Sequence, residues 1–365
     1  MNEQRRDIQD FIEKMKRFQE MMLKFIDTEA NPEAEYDNLI RFFEEQQVQS
    51  DQSILKSILQ ILIKISSNHH RGLNFFGKIE QIIKYFENTI KSYFDNINIY
   101  RIFKGNKRIL LFLINENILE VDKQVANCIA HKNHSYPSYF AKEIRPFVSA
   151  DFYQRISRGL PPDYEEKRNI GENDSYICQL IRNDSIDEFI ECMNQDTMVD
   201  KSIQVNGSYL IKDSIFETNS YLLKGNITLI EYAAFFGSIN IFNYLRQIQG
   251  YDQLNLFTFA VLSRKSELID ILKKDDISYM KHYFINAIMF HYNDIANQLK
   301  ERYFNDDQKL MKYVNSIAIK YHNYFFISND FSDQYSLFDL CKHGHHNIVK
   351  ILLRDNNINI NAIKI

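Results

Sequence analysis

The stretch Tyr335–Asn361 reads YSLFDLCKHGHHNIVKILLRDNNININ. Leu337, Leu340 and Cys341 recur at three- to four-residue spacing, so they share one face of a short helix. Gly344 follows, and a glycine just past a helix end takes the left-handed conformation that stops it. Ile348, Val349, Leu352 and Leu353 then repeat the helical spacing. Two short helices joined at a tight glycine turn predict an antiparallel hairpin. Such a hairpin cannot bury its apolar face alone, so copies of it must stack.

Copies lie upstream. In Thr228–Leu245, Ala233 and Ala234 let helices approach closely, Gly237 makes the turn, and Ile241 and Leu245 are core positions. Ala260 begins another copy, with Arg264 at the turn and then Leu268 and Leu272. Ala287 begins a third, with His291 at the turn and then Ile295 and Leu299. The spacings 260 − 233 and 287 − 260 are both 27. Cys178, Arg182, Ile186 and Ile190 fit the same template. The gaps 233 − 178 and 340 − 287 are 55 and 53 residues, about two periods each. Each leaves room for a decayed repeat, one around Ile203–Leu223 and one around Leu310–Ile327. The order apolar, small, Gly-His, Ile-Val, Leu-Leu resembles the ankyrin consensus, and Asn359 and Asn361 suit the turn after it. The ankyrin period is about 33 residues, so the resemblance places the missing residues in the finger-like β-turn between repeats.

Length and composition frame this. The 365 residues are 45% hydrophobic and 25% charged, as in a folded soluble protein. A net charge of −4 gives no general attraction to nucleic acid or to anionic membrane. The N-terminus begins with charge and lacks a secretory h-region. The longest apolar run, Ile109–Ile114, and the helix predicted over Ile54–Ile65, interrupted by Lys56 and Lys64, fall short of the ~20 residues that span a bilayer. Cys128, Cys178, Cys192 and Cys341 form no Cys-x-x-Cys pair, and Cys178 and Cys341 sit where the repeat wants a small buried residue. That usage suits a reducing cytosol or nucleus rather than a disulfide framework, and a cytoplasmic location is expected.

Toward the N-terminus, Ile8, Met15 and Met22 are seven apart, as are Phe11, Phe18 and Phe25. Three heptads suit a short coiled coil. The stripe is widened by Ile12 and Ile26, which favours a helix packed on the next domain. Asn31-Pro32 breaks the chain. Ser50-Asp51 to Ser53 caps a helix over Ile54–Ile65, Asn68–Gly72 is a polar turn, and Lys78–Phe94 is an amphipathic helix. In Phe103–Asp122, Gly105-Asn106, Ile109-Leu110 and Leu113-Ile114 match the Gly-His, Ile-Val and Leu-Leu places of the repeat. Pro137, Pro146, Pro161 and Pro162 exclude continuous helix over His131–Asp174. The expectation is an all-α chain with a boundary near Leu160–Gly171. Residues 1–160 form a helical N-terminal domain, repeat-like from about 78. Residues 172–365 form a solenoid of stacked, degenerate ankyrin repeats, with Ser214–Asn219 as an insertion. The chain ends in AIKI, which is not the polar cap a solenoid wants.

HHRGLNFFGKIEQI from His69, FKGNKRILLFL from Phe103, SIFETN from Ser214 and IEYAAFFGSINIFNYL from Ile230 resemble a large protozoan family. Its members carry a helical N-terminal region of unknown function followed by ankyrin repeats. The resemblance covers the chain from about Asp27 onward. It implies a protein-binding scaffold without activity of its own. This chain departs from longer members by ending after one well-formed repeat, which bears on whether it has a full groove.

No catalytic, cofactor or metal site is expected. His343, His345 and His346 stand beside Cys341 but lack a second ligand pair at zinc-finger spacing. His69-His70-Arg71 falls on a turn, where capping and surface polarity account for it. His131 and His134 lie near Cys128 without an orienting carboxylate. Gly105-Asn106-Lys107-Arg108 lacks the paired glycines and Ser or Thr of a phosphate loop, with Ile109 in the last place. The expected function is therefore non-enzymatic binding of a protein partner. The two residues before each turn carry it: Phe235 and Phe236, Leu262 and Ser263, Met289 and Phe290, Lys342 and His343. The competing account packs those phenylalanines against a neighbouring repeat. A second function is a structural or homo-oligomeric protein joined through the heptad helix and the uncapped C-terminal repeat. A third, an enzyme in the N-terminal half, requires a deep polar pocket among Ile54–Asp122.

Overall fold

The computed structural model describes residues 3–354 apart from 73, 133–134, 195–203, 206–207, 274–275, 330 and 332–333. His134, Ile203, Asn359, Asn361 and the closing Ala362–Ile365 stretch lie outside the described residues. The protein is all-α. In chain order the helices are α1 Glu3–Asp27, α2 Pro32–Glu45, α3 Gln52–Asn68, α4 Phe75–Tyr85, α5 Glu87–Tyr93, α6 Asn96–Phe103, α7 Lys107–Asn115 and α8 Lys123–Ala130. Then come α9 Ser135–Tyr139, α10 Ala141–Ile144, α11 Ala150–Ser157, α12 Tyr164–Ile170, α13 Tyr176–Arg182 and α14 Ile186–Asn194. The rest are α15 Leu229–Phe236, α16 Ile239–Ile248, α17 Gln253–Ser263, α18 Ser266–Leu272, α19 Ile277–Met289, α20 Asn293–Leu299, α21 Gln308–Tyr321, α22 Gln334–His343 and α23 His346–Leu352. Among the described residues the strands are β1 Gln204–Val205 and β2 Ser208–Tyr209, an antiparallel pair.

Two compact units divide the chain. One holds residues 1–65, 72–86 and 276–365; the other holds 66–71 and 87–275. The expected boundary at Leu160–Gly171 falls inside the second unit, where Tyr164 and Arg168 are buried.

In the first unit α1 buries one stripe, Ile8, Ile12, Met15, Gln19, Met22 and Ile26, against α2, α4 and α23. Its heptad face is thus already covered within the chain. Asn31 caps α2 and Pro32 opens it, where a missing N–H costs nothing. Asp51 accepts from the Ser53 and Ile54 amides at 2.9 and 3.0 Å and so starts α3. The helix predicted over Lys78–Phe94 is instead two. It ends at Phe86, a fully buried ring 5.0 Å from Phe43, and α5 follows in the other unit.

Helices α19 and α20 form a hairpin. At its turn His291 takes φ 63°, and the His291 and Tyr292 amides bond back to Ile288 and Ala287 carbonyls. Two amides closing on the last turn in this way are a Schellman C-cap. The same device ends α21 at His322 (φ 54°) and α22 at Gly344 (φ 80°). Around Leu310–Ile327, where a decayed repeat is expected, there is one helix and no hairpin. Helix α21 keeps its turn, but buried loop residues Tyr324, Phe326 and Ile327 stand where a second helix would be. The final hairpin, α22–α23, is covered. Gln4 donates to the Ile351 and Leu352 carbonyls, Gln60 donates to the Gly344 carbonyl, and Asn347 donates to Ser53 and Ser57. This hairpin is packed by α1 and held by α3.

The second unit carries three hairpins, α13–α14, α15–α16 and α17–α18, whose first helices lie side by side. Their left-handed residues are Asp184, Gly237 and Arg264. Arg264 and His291 are the turn residues predicted at those copies, and Gly237, Arg264 and His291 keep the 27-residue step (264 − 237 and 291 − 264). In the first hairpin the register differs. Arg182 ends α13 and the turn is Asp184, so Leu180, not Cys178, occupies the place of Ala233. Asp184 then accepts from the Asn240 and Ile241 amides at 3.1 and 3.0 Å, tying this turn to the next hairpin. The decayed repeat expected at Ile203–Leu223 is not a helical hairpin: its described part is β1, β2, an irregular loop and a 3-10 turn at Leu222–Lys224. Cys178 is buried as expected, but Cys341 is exposed because Leu340 takes the inward place.

A left-handed turn in every hairpin makes Gly237 a sensitive position. A Cβ there would meet Lys265 Cγ at 2.6 Å, which a flexible side chain can yield, but φ 71° remains. Gly237→Ala is expected to cost about 1–2 kcal/mol, measured as a lower urea midpoint with an unchanged m-value.

Candidate functional site

The eight residues expected to face a partner are placed unequally. Phe235, Leu262 and Phe290 are buried; Phe236, Ser263, Met289 and His343 are half-buried; Lys342 is exposed. Phe236 lies between Tyr232, 4.8 Å away, and the Arg182 guanidinium, 6.0 Å from its ring centre. The phenylalanine pair of α15 therefore follows the packing account. The cause is visible in the helix itself: LIEYAAFF is apolar on every side, and such a helix is buried on every side.

Exposed apolar residues stand elsewhere. In the first unit α19, α21 and α22 pack in that order. Ile277 is 61% exposed, Tyr313 52% and Phe338 45%. Lys342 Nζ lies 5.6 Å from the Phe338 ring centre; on α21, Lys320 Nζ lies 5.3 Å from the ring centre of the half-buried Tyr321. Ser316 donates to Asp339 across α21 and α22 and fixes the two helices. Tyr313 and Phe338 fall outside the buried stripes Leu310-Val314-Ala318 and Leu337-Leu340, which is the signal that marks them in the sequence.

The polar residues of the second unit converge. Glu217, from the Ser214–Asn219 stretch, is buried and accepts from the Thr218 and Asn219 amides at 2.8 Å and the Asn173 amide at 3.3 Å. Arg71 reaches it at 3.4 Å and also pairs with Glu172 at 3.2 Å. Glu172 pairs in turn with Arg182 at 2.8 Å, and Arg182 donates to the Tyr232 hydroxyl at 2.8 Å. Lys107 is buried too: its Nζ donates to the Ile215 carbonyl at 2.6 Å and sits 5.1 Å from the Tyr139 ring centre. Burial pulls its pKa down to about 7, against a smaller upward pull from Glu217. Asn106 caps α7 and donates to the Ser66 carbonyl at 2.8 Å. The four stretches quoted above from His69, Phe103, Ser214 and Ile230 thus meet in one network. Lys107 and His69, the latter expected on a polar surface turn, are both buried. The Asn219 Nδ2 makes no hydrogen bond among the described residues. The groups bond mainly to backbone and to one another, an arrangement that fixes loops.

The first unit has its own polar core. Gln19 of α1 bonds His291 Nδ1 at 2.8 Å, donates to Asn323 Oδ1 at 3.0 Å and accepts from the Tyr324 amide at 2.9 Å. His322 and His345 stack with ring centres 4.2 Å apart. His345 bonds the Ile319 carbonyl at 2.8 Å and the Tyr324 hydroxyl at 3.2 Å. Burial holds His345 down to about 4 and His322 well below the ordinary histidine value. The Ile319 carbonyl opposes this for His345, while His343, Lys64 and His346 add to it.

A groove of about 600 Å³ in the second unit lies along α8 and α11, lined by Asn127, His131, Phe147, Val148 and Phe152 among others. No protein-family model, curated protein or solved structure matches this chain.

Two outcomes follow from the buried groups. Glu217→Gln removes one of the two carboxylates beside the buried Arg71, Glu172 remaining, and is expected to cost roughly 1–3 kcal/mol, read by urea unfolding. For the histidines, the unfolded chain takes up protons near the ordinary pKa of ~6.5, whereas folded His345 holds out to about 4. Its contribution is intact above pH ~6.5 and falls away as the pH drops toward 4, by about 2 kcal/mol at pH 5. His345→Gln is expected to narrow the difference in urea midpoint between pH 7 and pH 5.

Proposed function

We propose that this chain is a non-enzymatic scaffold that binds a protein partner, built from degenerate ankyrin repeats and related to the protozoan family it resembles in sequence. The repeated left-handed helix ends, with the 27-residue step between Gly237, Arg264 and His291, support the repeat reading. The observation that carries binding is the pair of exposed aromatic residues, Tyr313 and Phe338, on neighbouring helices, with Lys342 beside the Phe338 ring. Aromatic residues are the commonest anchors of protein interfaces, and a tyrosine or phenylalanine flanked by lysine suits a partner surface with carboxylates. Met289, Lys342 and His343 belong to helices of this face; Phe235, Leu262 and Phe290 serve packing. Four free thiols accord with a cytoplasmic setting.

Tyr313→Asp combined with Phe338→Asp tests the face in the full chain. Both residues are about half exposed, so the stability loss is expected to stay within about 1 kcal/mol. Proteins recovered with the parent by affinity purification are expected to be lost from the variant. Recovery of the same set by a folded variant overturns the assignment of this face.

A further inference from the structure

Two buried imidazoles join the α22–α23 hairpin to α21. His322 ends α21 in the left-handed conformation, and His345 follows the Gly344 turn and precedes α23. Their rings stack with centres 4.2 Å apart and planes 18° apart. His322 Nε2 meets the His343 carbonyl at 3.0 Å, and His345 Nε2 meets the Ile319 carbonyl at 2.8 Å. The end of α21 and the turn of the hairpin therefore each bond the other's backbone. A carbonyl only accepts, so both Nε2 atoms carry the proton and both Nδ1 atoms are acceptors in the neutral rings. The Tyr324 hydroxyl, 3.2 Å from His345 Nδ1, donates to it. His322 Nδ1 has no hydrogen-bond partner among the described residues.

A second proton on either ring enters at Nδ1. On His345 it meets the donating Tyr324 hydroxyl; on His322 it becomes an enclosed donor with nothing to accept it. The charge is equally badly placed. Lys64 of α3 and His343 of α22 act against protonation of both rings, and His346 of α23 adds to this at His345. Behind them, Lys320 and Lys342 act on His343, and Lys56 acts on His346. The nearby carboxylates are engaged elsewhere: Asp339 faces His343 and accepts from Ser316, and Asp7 of α1 pairs with Arg354 at 3.0 Å. His291, at the α19–α20 turn, bonds Gln19. Among the described residues no carboxylate bonds either stacked ring, and two protonated rings in contact repel each other.

The hairpin's other attachments to the unit are modest. Its buried apolar residues are Leu337, Leu340, Ile348 and Leu352. Asn315 reaches Ser336 at 3.4 Å, Gln60 reaches the Gly344 carbonyl at 3.4 Å, and Asn347 reaches Ser53 and Ser57 at 3.2 Å. We propose that the His322–His345 stack is an acid-sensitive latch, whose protonation frees the α22–α23 hairpin from α21 while the rest of the first unit stays folded. In the freed hairpin a solvated histidine titrates near ~6.5. The closed value is lower, so the closed hairpin is favoured above pH ~6.5 and opens progressively as the pH falls toward 4. With a closed value of about 4, His345 alone raises the opening constant roughly twentyfold between pH 7 and pH 5, and His322, shifted in the same direction, adds to it. Tyr313 lies on α21 and Phe338 on α22, so opening divides the face proposed above; that consequence rests on the binding reading, and the latch does not.

Hydrogen exchange of the full chain, without any partner, tests the latch. The reporters are the Val349 and Leu353 amides, bonded to the His345 and Val349 carbonyls, and the reference is the amides of Phe284 to Ile288 within α19. Between pH 7 and pH 5 the reporters are expected to lose at least roughly twentyfold in protection factor, and the reference less than about threefold. In His345→Gln, whose amide can still donate to the Ile319 carbonyl, the reporter loss is expected to shrink by about the same twentyfold. Reporters already unprotected at pH 7, reporters that keep their protection at pH 5, or a loss shared equally by α19 overturn the proposal. An undiminished loss in His345→Gln does so as well. Should that variant fail to hold the hairpin at pH 7, the parent's pH series alone decides among these outcomes.

Discussion

A helical hairpin has an apolar side toward its predecessor and another toward its successor, and the last hairpin of a series has no successor. In the first unit the side of α22–α23 that faces α1 is covered by that helix. Helix α1 lays its stripe of Ile8, Met15, Met22 and Ile26 into the unit and packs on α23. Gln4 and Gln60 satisfy carbonyls at Ile351, Leu352 and Gly344 that a helix terminus otherwise leaves open. Heptad spacing in α1 gives a long face that is buried within the unit.

The turns are the second constraint. A Schellman end demands one residue at positive φ, and glycine adopts it most cheaply. Here it is Asp184, Gly237, His291, His322 and Gly344; Arg264 takes the same positive φ with its amide on the Val261 carbonyl and the next amide on Ser263 Oγ. Where the residue is not glycine, its side chain often makes a bridge. Asp184 caps toward Asn240 and Ile241, His291 meets Gln19, and His322 Nε2 meets the His343 carbonyl. The backbone strain at these points is offset by side-chain bonds to the next element, and the cost of the conformation is turned into register between hairpins.

Much of this was legible because turn chemistry and helical periodicity are local. Gly237, Arg264, His291 and Gly344 were each read from the spacing of small and apolar residues alone. The misses have physical causes. Taking a small residue as the marker put the first hairpin two residues out, since Leu180 fills the place that Ala233 fills later. Cys341 was assigned inward because it is small, yet Leu340 is the buried neighbour. Lys107 and Glu217 were unreadable as buried groups. Their enclosure depends on chain segments 146 residues apart, the Arg71–Glu217 separation (217 − 71). Phe147 and Phe152 lay in a proline-rich stretch where no periodic pattern marks a surface.

The units are compact, yet the chain passes between them at 65–66, 71–72, 86–87 and 275–276. A fragment beginning at residue 172 keeps α19–α23 but removes α1. His291, Asn323 and Tyr324 then lose Gln19, and buried polar groups without partners cost roughly 1–3 kcal/mol each. The same fragment removes Arg71 and Lys107 from around Glu217 and the Ile215 carbonyl. Repeat-like helices in the C-terminal half are thus completed by residues from the N-terminal half in both units. The N-terminal half acts as structural complement to the C-terminal half: Gln19 bonds His291, Asn323 and the Tyr324 amide, Arg71 pairs with Glu172 and Glu217, and Lys107 bonds the Ile215 carbonyl.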